Sequence, residues 1–175
     1  HCETNKFMDR LIKIYGNRDN SAKILQDKIC VINEGSEPVA PKPASLEDFS
    51  DSFPLFHKPY FLYVGVAYPH KNLEFMIDTF LEWKTKTKAP HLLILVGANN
   101  YFYKKLAKKY SKAVLSKLIT FMHEIEEHAL EHAYKNAEAF ITPSLEEGFG
   151  LPPLEAMANG TVVLSSNKSC MPEVL

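Results

Sequence analysis

From residue 60 onward, short apolar runs take turns with amphipathic stretches. The runs are YFLYVG, HLLILVG, LITF, EAFITPS and TVVLSS; the stretches between them are NLEFMIDTFLEWKTK, YFYKKLAKKYSKAVLSK, EEHALEHAYKNA and PPLEAMAN. The runs are too short for helices and carry apolar residues at successive positions, as strands covered on both faces do. The longer stretches repeat apolar residues at helical spacing: Leu73, Met76, Ile77 and Phe80 after Asn72 as N-cap, then Leu106, Tyr110 and Val114 with lysines outward. Five strands alternating with four helices predict an α/β fold, an open parallel sheet with helices on both faces. Ligands of such sheets sit at the carboxyl ends of the strands, beside helix N-termini.

Before residue 60 the pattern is different. Apolar spacing predicts a helix over 7–15, stopped by Gly16, and a short strand at KICVIN. Pro38, Pro41, Pro43, Pro54 and Pro59 then mark a linker or long irregular connection. The chain starts at HCETNK and ends at MPEVL, which reads as a piece of a longer protein. No apolar run approaches bilayer-spanning length. Cys2, Cys30 and Cys170 are an odd, widely spaced set, which argues for a reducing compartment and against a disulfide framework. Residues 84–117 hold nine Lys and no acid, whereas 118–155 hold eight Glu and one Lys. This reads as two differently charged solvent faces; the sharper reading is a basic flank that draws anionic ligands or lipid headgroups. With only Arg10 and Arg18 in the chain, nucleic-acid base reading is not expected.

The richest strand ends are VGVAYPHKN and TPSLEEGFGLPP. Pro152 and Pro153 suit the first turn of a helix, so a helix is expected to start around Pro152, with Gly160 past its end. Glu155 then falls in its first turn and Glu147 in the preceding loop. The amides of Gly148, Phe149, Gly150, Leu151, Leu154 and Glu155 are candidates to face an anion. The two carboxylates would repel a phosphate but suit hydroxyl pairs, since one carboxylate accepts two hydroxyl hydrogens. A ribose for Glu155 and a sugar for Glu147, with phosphates between, fit that chemistry. Lys71 follows the first strand and by its place alone reads as a surface lysine beside the N-cap. His128 and His132 share a helix face but have no third partner at metal-ligand spacing, so no metal site is assigned.

The segment PSLEEGFGLPPLEAMANGTVVLSSNKSCMPEV resembles the donor-binding signature of the retaining GT-B glycosyltransferases, the "glycosyl transferases group 1" family. Glu147 and Glu155 match the family's two glutamates separated by seven residues, and Lys71 in YFLYVGVAYPHKNLEFMIDTF matches its phosphate-binding lysine. The resemblance implies a Rossmann-like domain, the C-terminal half of a GT-B fold. It implies a division into 1–36, the tail of an acceptor domain; 37–59, an interdomain linker; and 60–175, the nucleotide-sugar domain, lacking its last elements and for that reason prone to self-association. It further implies catalytic roles for Glu147 and Lys71, and a nucleotide-sugar site of Glu155, Gly65, Phe149, Gly150, Leu151 and His123. Two departures stand out: Val66, where relatives often carry an Arg, and His123, where they usually have Gly near the nucleotide base.

The function implied is transfer of a mannose- or glucose-type sugar from a GDP- or UDP-sugar to a glycan or lipid-linked acceptor. No cofactor or metal is implied. The setting implied is the cytoplasm, with peripheral association at the inner face of a membrane. The competing readings are a nucleotide-sugar epimerase or phosphorylase-like enzyme on the same fold, and a non-catalytic nucleotide-binding domain.

Overall fold

A computed structural model describes residues 57–175, together with Arg10 and Lys13, both exposed and helical. The rest of the helix predicted over 7–15, the strand at 28–33 and the proline-rich stretch up to residue 56 lie outside the described residues. The strands are β1 (Tyr60–Val64), β2 (Leu92–Val96), β3 (Ile119–Met122), β4 (Ala139–Thr142) and β5 (Val163–Ser165). They form one sheet in the order β3-β2-β1-β4-β5, and every pairing is parallel. The helices are α1 (Leu73–Thr87), α2 (Tyr101–Lys109), α3 (Ser111–Leu115), α4 (Glu127–Lys135), α5 (Leu151–Ala158) and α6 (Met171–Val174), with a 3-10 turn at Pro69–Lys71.

Side-chain alternation along the strands divides the core into two layers. On one face Tyr63, Leu93 and Leu95 pack against Met76, Ile77 and Phe80 of α1 and Leu106 of α2. On the other, Leu62, Ile94 and Phe140 pack against Ala133 and Tyr134 of α4 and Ala156 of α5. β2 is buried at every position, which is why its sequence is a continuous apolar run. Full burial of each such Leu or Ile contributes about 1.5–3 kcal/mol.

Local departures from the sequence expectation have identifiable causes. The single helix expected over 101–117 is split into α2 and α3. Tyr110 leaves helical angles at φ −101°, ψ 25°, and its hydroxyl donates to Asp78 Oδ1 of α1 at 2.8 Å. Asn72 does precede α1, but in the left-handed conformation (φ 56°) and without capping through its side chain. α6 follows β5 as a short helix that the sequence pattern did not announce. Among the described residues no helix is long and apolar enough to cross a membrane. β5 forms one edge of the sheet, with Leu164 of the strand and Val162 just before it exposed.

The strand order fixes where a ligand goes. From β1 the chain crosses to β2 on one side, whereas β4 lies on the other side and continues outward to β5. The connections after β1 and β4 thus depart in opposite directions, and a crevice opens between their carboxyl ends. The segments after these two strands, 65–72 and 143–150, carry Gly65, Lys71, Glu147, Phe149 and Gly150 of the predicted site; Leu151 and Glu155 follow in α5, and His123 follows β3.

Candidate functional site

The turn after β1 is held from beneath by two phenols. Tyr103 Oη of α2 donates to Gly65 O at 2.8 Å and to Val96 O at 3.0 Å, and Tyr63 Oη donates to Val66 O at 2.7 Å. Burial pushes both phenols far up, so they stay protonated and act as donors. In a trans peptide the carbonyl and the next amide point opposite ways. The N–H groups of Val66 and Ala67 are therefore turned away from the phenols, and neither has a protein partner among the described residues. Gly65 itself has φ 147°, with Tyr63 Oη 3.0 Å from where a Cβ would sit. The chain then passes through the 3-10 turn, whose last residue is Lys71.

The loop after β4 is stapled to this turn. Leu145 N–H donates to His70 O at 2.8 Å, and Asn72 Nδ2 donates to Pro143 O at 3.3 Å. That second bond accounts for Asn72's side chain being absent from the α1 cap. Between the staples Lys71 Nζ donates to Glu147 Oε2 at 2.5 Å. The two side chains are only 15% and 13% exposed. Ser144 Oγ donates to the other oxygen, Glu147 Oε1, at 2.7 Å. The Glu147 backbone is gripped by Ser169, whose hydroxyl accepts from Glu147 N–H (3.2 Å) and donates to Glu147 O (3.0 Å). Glu147 is thus fixed at its backbone and at both carboxylate oxygens.

Gly150 ends the loop and begins the helix. It sits before α5 at φ 94°, a conformation that disfavours a side chain, and a Cβ there would meet the terminal methyl of Met171 at 2.4 Å, which would have to shift. Because the turn at Gly150 is so tight, α5 starts at Leu151, one residue earlier than expected. This corrects the placement of Glu155: it lies in the second turn, and its amide belongs to the helix's own hydrogen bonding. The amides of Gly148, Phe149, Gly150 and Leu151 have no protein partner among the described residues. Glu155 is half-buried, and its Oε2 accepts from Tyr134 Oη of α4 at 2.8 Å.

His123 follows β3, and its Nδ1 lies 2.7 Å from Gly97 O. A carbonyl can only accept, so Nδ1 carries a proton, and in that tautomer Nε2 is the acceptor. Its ring meets Tyr103 edge-on at 5.4 Å. Gly97, the residue after β2, allows this crowding: a Cβ there would lie 2.2 Å from Gly65 O.

The fold brings Lys71 and Glu147 into direct contact and ties Gly65 to His123 through Tyr103 and Gly97. Phe149, Gly150 and Leu151 lead from Glu147 into α5, and Glu155 stands one turn further in, joined to Tyr134. Sequence reading missed Tyr63, Gly97, Tyr103, Tyr134, Ser144 and Ser169. Gly97 carried a readable signal: it closes the second strand as Gly65 closes the first. Among the described residues no three His, Cys, Asp or Glu side chains converge as metal ligands.

A family model described as "Glycosyl transferases group 1" matches residues 47–175. The O-antigen chain mannosyltransferase RfbU of Salmonella typhimurium is 37% identical over 116 residues, which are 66% of this chain and 32% of that protein. The O-antigen chain mannosyltransferase B of Escherichia coli is 29% identical over 140 residues, 80% of this chain and 37% of that protein. The chain thus spans about a third of the length of these relatives. Among solved structures, a glycosyltransferase from Rickettsia africae superposes with a TM-score of 0.68 at 19% identity, covering 94% of this chain and 44% of that one. HepE of Anabaena, solved in complex with UDP and glucose, gives 0.63 at 17% identity, covering 77% of this chain and 36% of that one. These structural likenesses establish a shared fold.

Proposed function

The chain belongs to the group 1 glycosyl transferases, and on that premise we propose that it carries the nucleotide-sugar site of an enzyme that transfers a hexose to a glycan or lipid-linked acceptor. The observation that carries this reading is the Lys71–Glu147 pair at the crevice between β1 and β4, beside amides with no protein partner among the described residues. A diphosphate in the crevice draws the Lys71 ammonium and the amides of Phe149, Gly150 and Leu151. Lys71 is then shared with, or leaves, Glu147. The freed oxygen of Glu147 accepts hydroxyls of the sugar, while Ser144 keeps the carboxylate in place. Glu155 takes the ribose diol from the second turn of α5.

The transfer breaks the bond between the anomeric carbon and the diphosphate oxygen, whose electron pair stays with the phosphate. The acceptor hydroxyl forms the new bond on the same face, and its proton passes to the leaving phosphate. Charge grows on the diphosphate during this step. Lys71 and the amides stabilise it there, in a partly water-excluded crevice. Mannose is the hexose favoured by the names of the relatives. The cytoplasm, near the inner face of a membrane, is the setting that suits sparse cysteines and a nucleotide-sugar donor.

His123 bears on the nucleotide. Its Nε2 acceptor suits a ring N–H, as guanine N1 and uracil N3 have, and would meet a lone pair at the corresponding ring nitrogen of adenine or cytosine, whose only pairing-edge donors are the exocyclic amino groups. Calorimetry of the whole protein with GDP, UDP, ADP and CDP tests both claims. GDP or UDP is expected to bind at least about 10-fold tighter than ADP and CDP, and Glu155→Ala to weaken that binding by about 10-fold or more, as loss of a charge-assisted hydroxyl pair implies. No heat with any of the four ends the donor-site reading; equal affinities end the role given to His123.

A further inference from the structure

We infer that Tyr134 is a positioning residue for the nucleotide: its phenol holds the Glu155 carboxylate in the orientation that accepts the ribose hydroxyls. This rests on the reading of Glu155 as the ribose ligand. Tyr134 lies in the last turn of α4, only 1% exposed, with its ring on Phe140 of β4 at 5.8 Å. From there Tyr134 Oη emerges from the core beneath α5 and donates to Glu155 Oε2 at 2.8 Å. Burial is the main cause that pushes the phenol far up, followed by the hydrogen bond to Glu155, so the group remains a donor wherever the protein is folded.

The consequence concerns the carboxylate. A half-buried Glu on a helix has several rotamers, and a ligand that needs one of them must order the rest. A fixed phenol occupies one lone pair of Oε2 and sets the plane of the group. A carboxylate has about four acceptor sites, so Oε1 and the remaining lone pair of Oε2 stay available to two vicinal hydroxyls. The phenol itself is immobile. The Tyr134 ring meets Phe140 within the buried cluster that also holds Met122 and Ala156, and the Tyr134 carbonyl accepts from Thr161 Oγ1. No side chain of α5 fixes the carboxylate in this way. Among the described residues Tyr134 is the one hydrogen-bond partner of the Glu155 carboxylate.

A phenol present only to complete the core would behave differently. Tyr134→Phe would then lower the melting temperature and leave ligand affinity alone. The test uses the whole protein, calorimetry with GDP or UDP (whichever binds), and the 2′,3′-dideoxy form of the same nucleotide. Tyr134→Phe is expected to weaken binding of the ribonucleotide about 5- to 10-fold. Wild type and variant are expected to bind the dideoxy form equally. The donor KM rises correspondingly, and kcat stays within about twofold, as for loss of an interaction made equally in ground and transition states. Thr161→Val serves as the comparison for loosened packing: it removes the bond to the Tyr134 carbonyl and is expected to lower the melting temperature without changing the ratio of ribo to dideoxy affinity. Equal losses for both nucleotides, or none, in Tyr134→Phe overturn the inference. Glu155→Ala separates the premise from it. If Glu155→Ala also leaves the ratio untouched, the ribose reading has failed; if it abolishes the ratio and Tyr134→Phe leaves it unchanged, only the role of Tyr134 has failed.

Discussion

Lys71→Ala is expected to lower kcat by about 10²–10³-fold, with a much smaller change in donor KM, because the Lys71 ammonium meets charge that grows on the diphosphate only as the sugar leaves. The same substitution has a second effect that must be separated from the first. Glu147 is 13% exposed and has Lys71 as its ion-pair partner at 2.5 Å, so the variant leaves a largely covered carboxylate without its counter-charge. Removing one member of such a pair costs about 3–5 kcal/mol when burial is deep and less here, where some water reaches both groups. Thermal melting reads that loss, and Lys71→Ala/Glu147→Gln repairs it by removing the unpaired charge. Activity is not expected to return with stability, since the diphosphate still lacks its cation. In the double variant kcat is expected to fall no further than in the worse single one, because both residues serve one transition state. A Lys71→Ala enzyme within tenfold of the wild-type kcat removes Lys71 from the chemistry, whatever its melting temperature.

That pair also shows where sequence reading stops. β1 and β2 were legible because strands covered on both faces must be apolar at every position, as LLILV is. The parallel order followed from alternation with helices. Glu147 and Lys71 were each legible as residues of strand-end loops. Their contact was not, because it spans 76 residues and depends on β4 lying next to β1. The misplacements have the same origin. Nothing local to 101–117 announces a break; at the break the Tyr110 hydroxyl bonds Asp78, on α1, a contact no local pattern shows. Asn72 has the chemistry of an N-cap, but a carbonyl across the crevice, Pro143 O, takes its amide. Pro152 and Pro153 fixed the start of α5 to within one residue; the tight turn at Gly150, packed against Met171, moved it to Leu151. Local chemistry and the family resemblance picked out the candidate residues, and long-range packing decides which of them touch.

Gly97→Ala is expected to damage stability and activity together, and it probes the part of the site that no sequence motif marked. Gly97 does not need glycine for its backbone angles, since its φ is not in the left-handed range. It needs the space. A Cβ would lie 2.2 Å from Gly65 O and 2.5 Å from Tyr103 Oη. The phenol can rotate away, but the Gly65 carbonyl cannot: Gly65 N–H is bonded to Val96 O at 3.0 Å, and the carbonyl itself is the acceptor of Tyr103. Either the turn after β1 shifts or the end of β2 does. Overpacking of this kind costs about 1–3 kcal/mol, and a buried phenol deprived of its acceptors adds about 1–3 kcal/mol. A chain of this size loses about 2–4 °C of melting temperature per kcal/mol, so a fall of about 10 °C is expected. The shifted turn carries Val66 and Ala67 and leads to Lys71, and Gly97 O anchors His123. Nucleotide affinity and kcat/KM are therefore expected to drop at least about tenfold even at temperatures where the variant is fully folded, as misplacement of an ångström suffices for such losses. Gly148→Ala provides the contrast in stability: nothing lies within 4 Å of its added Cβ, and its melting temperature is expected to stay within the range of an ordinary surface change, about 0.5 kcal/mol. Should Gly97→Ala melt with the wild type, the close approach of the β1 and β2 ends is wrong, and with it the arrangement that links Gly65 to His123.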